Sequence, residues 1–312
     1  MDGMIPITDE TCGTNPTPTV GYQILTTALF EGKRDKSPSD LKTIHIYFGH
    51  QSNSQRLSRN FPFNDGQDTS KSHFYLGGII WISTLLVLSL SVACQGGEFP
   101  DIVNFLIDLM RYPNVKVHGD VFPTLLVLVC SDIQVVRRFL ECKLVSVYSP
   151  GGKMSIIIYL VGVCFYAALP LTTVSGTDFT QKICCASFLD DVKFYHAVGV
   201  SVFLWASWHQ NRAVNQFAKL RQNKSGSVEN TRHHIPHGGL FQFVSCPHYT
   251  MEIIIYLSLC IIITAFQNNM LVALFVFVLI NQVVTGYFTH AWYKETFKNY
   301  PKDRKAVLPF LL

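Results

Sequence analysis

Residues 234–266 read HIPHGGLFQFVSCPHYTMEIIIYLSLCIIITAF and pass from a glycine turn into an apolar segment of about the length that crosses a membrane as a helix. A carboxylate, Glu252, stands near the beginning of that segment. A charged side chain costs about 2.5–3.5 kcal/mol at the centre of a bilayer and less near its interface. We therefore expect Glu252 to have a functional role and a partner.

The composition points to a membrane protein. Of 312 residues, 48% are hydrophobic and only 15% are charged, and the mean hydropathy is +0.24. These values are too apolar for an ordinary soluble chain of this length. The net charge of +4 is modest and the basic residues lie in loops rather than in one patch, so we predict no nucleic-acid partner.

Apolar runs recur along the chain after residue 70, and each is close to the length of a membrane-spanning helix. The runs are 75–94, 121–139, 154–174, 192–208, 249–266 and 270–290. A further apolar segment, Phe105 to Met110, is either interfacial or part of an additional span. The predicted fold is all-α, a polytopic membrane helix bundle with six to seven transmembrane helices. No Gly-x-Gly-x-x-Gly follows a strand, so we expect no Rossmann domain.

The prediction divides the chain into two regions. Residues 1–70 are polar and interrupted by Pro, Gly, Asn and Asp, and they contain no run long enough to span a membrane as a helix. Residues 71–312 contain all the apolar runs and are predicted to form the transmembrane domain.

Lysine and arginine predict the orientation, because cytoplasmic loops carry an excess of them. When six spans are threaded alternately, three basic regions fall on one side, and the loop with Asp178, Asp190 and Asp191 falls on the other. The C-terminus is therefore predicted to be cytosolic. The basic regions are those around residues 137–153, 212–232 and 294–305.

A polar stripe enters the fifth span. His248, Glu252 and Tyr256 are spaced four residues apart, which puts an imidazole, a carboxylate and a phenol on one helix face. The alternative is a helix end whose polar residues only face lipid headgroups. The histidines nearby match no familiar zinc spacing, so we predict no metal site. The neighbouring basic residues favour an anionic ligand.

Several motifs together resemble the steroid 5α-reductase family, and most closely its polyprenol reductase branch. The C-terminal tail is the most specific of them, and the similarity extends over about residues 70–312. The motifs are IPHGGLF (235–241), VSCPHY (244–249) with Glu252, YPKDRKAVLPFLL (300–312), SHFY (72–75), RRFLEC (137–142), VSVYS (145–149) and LRQNKSG (220–226).

The resemblance implies a multi-pass enzyme of the endoplasmic-reticulum membrane, with its reductase core at about residues 150–312. It implies NADPH as the cofactor. It further implies that the α-isoprene double bond of a polyprenyl lipid is reduced, toward dolichol for protein N-glycosylation. His248 stands where the steroid-reducing members have asparagine, and the histidine favours the polyprenol branch. The sequence does not specify an oligomeric state.

Site residues follow from the same resemblance, position by position. Those implied to bind the cofactor are Arg138, Arg221, His248, Tyr249, Glu252, His290 and Tyr293. The candidates for catalytic groups are Tyr293 and Asp120. Asp120 is chosen over Glu98 and Asp101 as a counterpart of the glutamate that polarises the carbonyl in steroid-reducing members.

Hydride chemistry favours one form of the lipid. A conjugated carbonyl can accept the electrons when hydride adds to a double bond, whereas a free allylic alcohol cannot, so we expect the aldehyde to be the species that is reduced. Other functions stay open at this point. They are a 3-oxo-Δ4-steroid 5α-reductase, an enoyl-CoA reductase, an isoprenylcysteine-type membrane methyltransferase and a non-catalytic lipid-binding protein.

Overall fold

The computed structural model describes residues 67–111, 119–147, 156–180, 191–222, 233–264 and 268–309. The predicted polar region 1–70 therefore lies almost wholly outside the described residues. The described part of the chain forms seven α-helices, a π-helical turn and a 3-10 turn. The α-helices are α1 Gln67–Gln95, α2 Asp101–Met110, α3 Val121–Leu140, α4 Ile156–Ser175, α5 Phe194–Lys219, α6 Pro247–Ile262 and α7 Asn269–Thr296, with the π turn at Glu141–Val145 and the 3-10 turn at Gly239–Gln242.

The prediction of an all-α membrane bundle is confirmed. Within the described ranges, the only β pairings are isolated bridges. Three helices are long and apolar enough to cross a membrane by length and composition, namely α1 from Ser72, α4 and α7, and α6 is a shorter apolar helix. Each of the six predicted runs corresponds to one helix, and the run 249–266 to the shorter helix α6.

The main difference in helix boundaries concerns α5. The apolar run ends at Trp208, but the helix continues to Lys219. Its polar residues Gln210 and Asn211 bind side chains of α3, the π turn and α6, so tertiary hydrogen bonds stabilise a stretch that hydropathy assigns to a loop.

The helices alternate in direction. The Asn268 amide, at the start of α7, donates to the carbonyl oxygens of Thr172 and Thr173 near the end of α4. Gly199, in the first turns of α5, faces Ile262 at the end of α6, where a Cβ on the glycine would come within 2.5 Å of the isoleucine side chain. These contacts lie at one end of the bundle. At the opposite end, the starts of α1, α4 and α6 meet the ends of α3, α5 and α7, where Arg138 reaches Tyr75 and Gln210 reaches Glu252. We call this end of the bundle the polar end.

The C-terminal tail packs onto the polar end. The amides of Ser245 and Cys246 donate to the carbonyl oxygens of Lys305 and Ala306 at 2.8 and 3.1 Å. The side chain of Val307 is fully buried and lies directly on Gly286 of α7. The tail is thereby part of the folded bundle.

A methyl group at residue 286 should displace the tail. A Cβ there would lie 2.0 Å from Val307 Cγ2, so we expect Gly286→Ala to destabilise the protein by about 1–3 kcal/mol through overpacking. Thermal unfolding in detergent measures the loss. The double variant Gly286→Ala/Val307→Ala removes the clash and should recover part of the stability. A double variant that is as unstable as the sum of both single changes would contradict this packing.

Candidate functional site

The carboxylate of Glu141, at the junction of α3 and the π turn, is buried and accepts hydrogen bonds from three side chains. Glu141 is 3% exposed. It accepts hydrogen bonds from Arg137, from Arg138 Nη1 at 2.6 Å and from Asn211 Nδ2 at 2.9 Å. π-Helical turns occur frequently at functional sites. This turn brings Glu141 beneath both arginines, where charge-assisted hydrogen bonds are strong.

Gln210 of α5 connects that carboxylate cluster to α6. Its side-chain oxygen accepts from Arg137 and from Gln134 Nε2 at 3.3 Å, while its nitrogen donates to Glu252 and to the carbonyl oxygen of His248 at 3.2 Å. A side-chain amide can present its oxygen as an acceptor to a guanidinium and its nitrogen as a donor to a carboxylate at the same time. We call these linked residues the polar network. Its members are Gln134, Arg137, Arg138, Glu141, Gln210, Asn211 and Glu252.

Tyrosines lie between the polar network and the apolar bundle. Arg138 Nη2 is 3.5 Å from the Tyr75 hydroxyl, and its guanidinium carbon is 5.9 Å from the centre of the Tyr75 ring. The Tyr75 ring meets Tyr166 edge-on at 5.6 Å. Tyr256 is 2% exposed and its hydroxyl has no hydrogen-bond partner among the described residues. Phenolic donors therefore line the transition from charged to apolar surroundings.

A second group of side chains surrounds the tail, and we call it the tail cluster. The Ser245 hydroxyl lies 2.6 Å from His290 Nδ1 and 2.5 Å from the Tyr300 hydroxyl, and Tyr300 stacks on Tyr293 at 5.4 Å. The Arg304 guanidinium lies 5.1 Å from the centre of the Tyr300 ring. Arg304 is 4% exposed, yet its Nε and Nη1 have no hydrogen-bond partner in the part of the chain that the structure describes.

Those unpartnered guanidinium nitrogens indicate an anion site. A buried donor without a partner is costly, and most such groups in proteins are satisfied by protein, water or ligand. A phosphate or carboxylate is the ligand that a guanidinium binds best. Among the described residues, no group of three or more His, Cys, Asp or Glu side chains is arranged to hold a metal ion.

Two titratable side chains in the segment before α6 have shifted pKa values. Burial, followed by the charges of Arg221 and His234, lowers the pKa of His233. Burial raises the pKa of the Cys246 thiol to about 12. Both shifts favour the uncharged forms of these two side chains, so positive charge for an anion comes from guanidinium and ammonium groups.

The structure brings most of the predicted site residues to the polar end. Arg138 and Glu252 belong to the polar network, and His290 and Tyr293 belong to the tail cluster. His248 lies between the two groups, with its ring 4.0 Å from that of Tyr249 and its buried Nδ1 unpartnered within the described residues. The remaining residue, Arg221, donates to the Val147 carbonyl oxygen just beyond the π turn.

Asp120 is the exception. It precedes Arg138 by 18 residues on the same helix, which is about 27 Å along the axis. The Asp120 side chain is 52% exposed and lies 4.0 Å from the Lys193 ammonium. The structure therefore does not bring Asp120 together with the other predicted residues.

Sequence reasoning missed the residues that hold the site together. Gln210 and Asn211 follow the apolar run of α5, and Tyr75 and Arg304 stand out in the sequence only as members of the SHFY and YPKDRKAVLPFLL motifs. A signal for Gln210 is present in the sequence, because it lies four and seven residues after Ala206 and Phe203, on a helix face that is apolar before it. The partners of that face on α3 and α6 could not be deduced from spacing alone.

Comparison with known proteins agrees with the resemblance seen in the sequence. The sequence profile described as 3-oxo-5-alpha-steroid 4-dehydrogenase matches residues 153–312. The chain is 34% identical over 244 residues to the polyprenal reductase of Danio rerio, covering 77% of each protein. It is 31% identical over 243 residues to the human polyprenal reductase, covering 77% of this chain and 76% of the relative. For the polyprenal reductase of Xenopus tropicalis the identity is 30% over 241 residues, with 77% and 78% covered.

These similarities imply an oxidoreductase that acts on carbon–carbon double bonds and uses a nicotinamide cofactor. The unpartnered nitrogens of Arg304 and His248 are compatible with such a cofactor, which carries phosphate groups and polar ring substituents. With a profile match over its C-terminal half and relatives above 30% identity over about three quarters of its length, this chain belongs to the steroid 5α-reductase family, described as 3-oxo-5-alpha-steroid 4-dehydrogenase.

Proposed function

We propose that the protein is an NADPH-dependent reductase that saturates the α-isoprene double bond of a polyprenyl lipid, as a step toward dolichol for protein N-glycosylation. The observation that carries this proposal is the similarity to polyprenal reductases over 77% of the chain, with 34% identity to the protein of Danio rerio. His248 supports the same substrate, because steroid-reducing members of the family have asparagine at this position. The proposed location is the endoplasmic-reticulum membrane, with the polar end and the C-terminus in the cytosol.

The aldehyde is the proposed reactive form of the lipid. NADPH, when bound, supplies a hydride to the β-carbon of the conjugated double bond. The electrons of that bond are then accepted by the carbonyl oxygen, which becomes negatively charged and must be stabilised by a donor. The α-carbon takes up a proton, and the product is a saturated aldehyde. A separate carbonyl reduction then gives the alcohol.

Tyr75 is the proposed donor to that oxygen. Arg138 donates toward the Tyr75 oxygen, which leaves the phenolic hydrogen available for a substrate atom. Glu141 fixes the guanidinium of Arg138 from the other side. The three groups form a chain from a buried carboxylate to a phenol at the edge of the apolar bundle. That edge is where the polar head of a long apolar lipid would lie.

The proposed cofactor site combines the tail cluster with the part of the polar network nearest to it. Arg304 and Arg221 are proposed to bind the phosphate groups of the cofactor. Between the tail cluster and the polar network, polar contacts to the cofactor are proposed for His248, Tyr249 and Glu252. His290 and Tyr293 support Tyr300, on which the Arg304 guanidinium rests. Residues 71–312 are proposed to form one reductase domain, with the core from about residue 150.

Removing the charge of Arg304 should weaken cofactor binding. A charge-assisted contact to phosphate contributes about 1.5–3 kcal/mol, so we expect Arg304→Gln to raise the KM for NADPH about 10–100-fold with a smaller change in kcat. Lys305→Gln is the matched control, because it removes a neighbouring exposed charge. Steady-state kinetics with varied NADPH measure both variants. Equal KM values for Arg304→Gln and the unchanged protein would show that this guanidinium does not bind the cofactor.

Complementation tests the proposed function in cells. The chain is expressed in cells that lack their own polyprenal reductase, and polyprenol and dolichol are quantified by mass spectrometry. We expect dolichol to return and polyprenol to fall, and N-glycosylation to recover with them. The Tyr75→Phe variant, expressed at equal abundance, should neither raise the amount of dolichol nor lower the amount of polyprenol. Unchanged lipid amounts with well-expressed protein in the correct membrane would refute the proposal.

A further inference from the structure

Helix α2 presents three different faces. Val103 and Ile107 are buried, at 5% and 2% exposure, in a cluster with apolar residues of α1, α3 and α4. Ile102, Phe105 and Leu109 form a second face and are 65%, 63% and 60% exposed. Their spacing of three and four residues places them in one row.

The third face of α2 is polar. Asp101 and Asp108 are seven residues apart and therefore share one side of the helix, with Asn104 between them. The Asp108 side chain is 68% exposed and pairs with Arg111. A helix with one face on protein, one apolar face uncovered and one charged face matches the surroundings at the boundary between protein, lipid and water.

The length and the attachments of α2 exclude a transmembrane position. Ten residues extend about 15 Å, which is half of the roughly 30 Å hydrocarbon thickness. At its C-terminal end, Arg111 Nε donates to the carbonyl oxygen of Ser175, the last residue of α4. This contact holds α2 at the end of the bundle opposite to the polar end.

We propose that α2 lies in the membrane interface opposite to the polar end, with Ile102, Phe105 and Leu109 inserted among lipid acyl chains. The occupant is lipid rather than a protein partner, because α2 is attached to the last residue of α4, a helix long and apolar enough to cross a membrane, and α1 also exposes apolar side chains at this end of the bundle. In the last turns of α1, Val87 and Leu90 are 64% and 40% exposed.

This placement also sets the depth of the polar network. Along α1, Gln95 next to α2 and Tyr75 next to Arg138 are 20 residues apart, which is about 30 Å. That distance equals the hydrocarbon thickness. With α2 held in one interface, Tyr75 is held in the other, at the level of the lipid headgroups.

Site-specific photo-crosslinking tests the placement. Benzoylphenylalanine is introduced at Phe105, Leu109 or Asp108 in separate variants of the full chain, which are reconstituted in phosphatidylcholine vesicles and irradiated. Mass spectrometry measures lipid adducts. We expect at least about fivefold more lipid adduct from residues 105 and 109 than from residue 108, since only the former lie among acyl chains. Equal adduct from all three positions would overturn the proposal, and so would crosslinks from 105 and 109 to protein. Using two apolar positions keeps the test valid if one variant fails to fold.

Discussion

Replacing Tyr75 by phenylalanine is expected to lower kcat for polyprenal reduction about 10²–10³-fold, the loss typical for removing one donor to a developing oxyanion. The KM for NADPH should change little, because Tyr75 belongs to the proposed lipid side of the site. The ring and its edge-on packing against Tyr166 remain in the variant. Single-turnover kinetics with saturating NADPH measure the effect on the chemical step.

Tyr159→Phe is the matched control for this change. Tyr159 lies on α4 with its ring 6.2 Å from Phe74, the neighbour of Tyr75. Its variant removes a phenolic hydroxyl from the same region but outside the polar network, so activity should stay within about twofold. Equal losses in both variants would indicate a general effect on packing, and unchanged activity in Tyr75→Phe would exclude Tyr75 as the donor.

Glu141→Ala should produce the largest loss of stability. The change leaves Arg137 and Arg138 without their shared carboxylate at a site where Glu141 is 3% exposed. Breaking a buried ion pair by removing one partner costs about 3–5 kcal/mol, because the remaining charge is uncompensated. We expect a much lower thermal unfolding midpoint in detergent and little folded protein in cells.

An exposed pair of the same spacing provides the comparison. Arg111 and Asp108 also form an i,i+3 ion pair, but their side chains are 41% and 68% exposed. Asp108→Ala should therefore cost no more than about 1 kcal/mol. If both alanine variants unfolded at the same temperature, the Glu141 carboxylate would not stabilise the bundle as its contacts imply.

The helices could be predicted from the sequence because membrane spans have a strong local signal. Runs such as 121–139 and 270–290 fall within α3 and α7 almost to the residue at their starts. The predicted end of a helix was wrong where residues distant in sequence bury its polar side chains. The apolar run predicts that α5 ends at Trp208, whereas the helix continues for about three further turns to Lys219. Tertiary hydrogen bonds to Gln210 and Asn211 had no counterpart in the local pattern.

The site could be predicted only in part. The motif resemblance named residues that the structure gathers at the polar end, such as Arg138, Glu252 and His290. It did not reveal that Gln210 connects Arg137 to Glu252, because these residues are far apart in sequence and meet only when α3, α5 and α6 pack. The resemblance suggests Asp120 only as a counterpart of the glutamate that polarises the carbonyl in steroid-reducing members. Which end of a helix faces the other site residues depends on the threading, and Asp120 lies at the end opposite to Arg138.

The central claim is the reduction of a polyprenyl aldehyde, and an assay with purified protein tests it most directly. NADPH oxidation and product formation are measured with polyprenal, polyprenol, testosterone and an enoyl-CoA under identical conditions. We predict rapid formation of the α-saturated aldehyde from polyprenal and no reduction of polyprenol in the absence of any aldehyde-forming activity. Turnover of testosterone or of the enoyl-CoA in preference to polyprenal, or direct reduction of the alcohol, would contradict the proposed function.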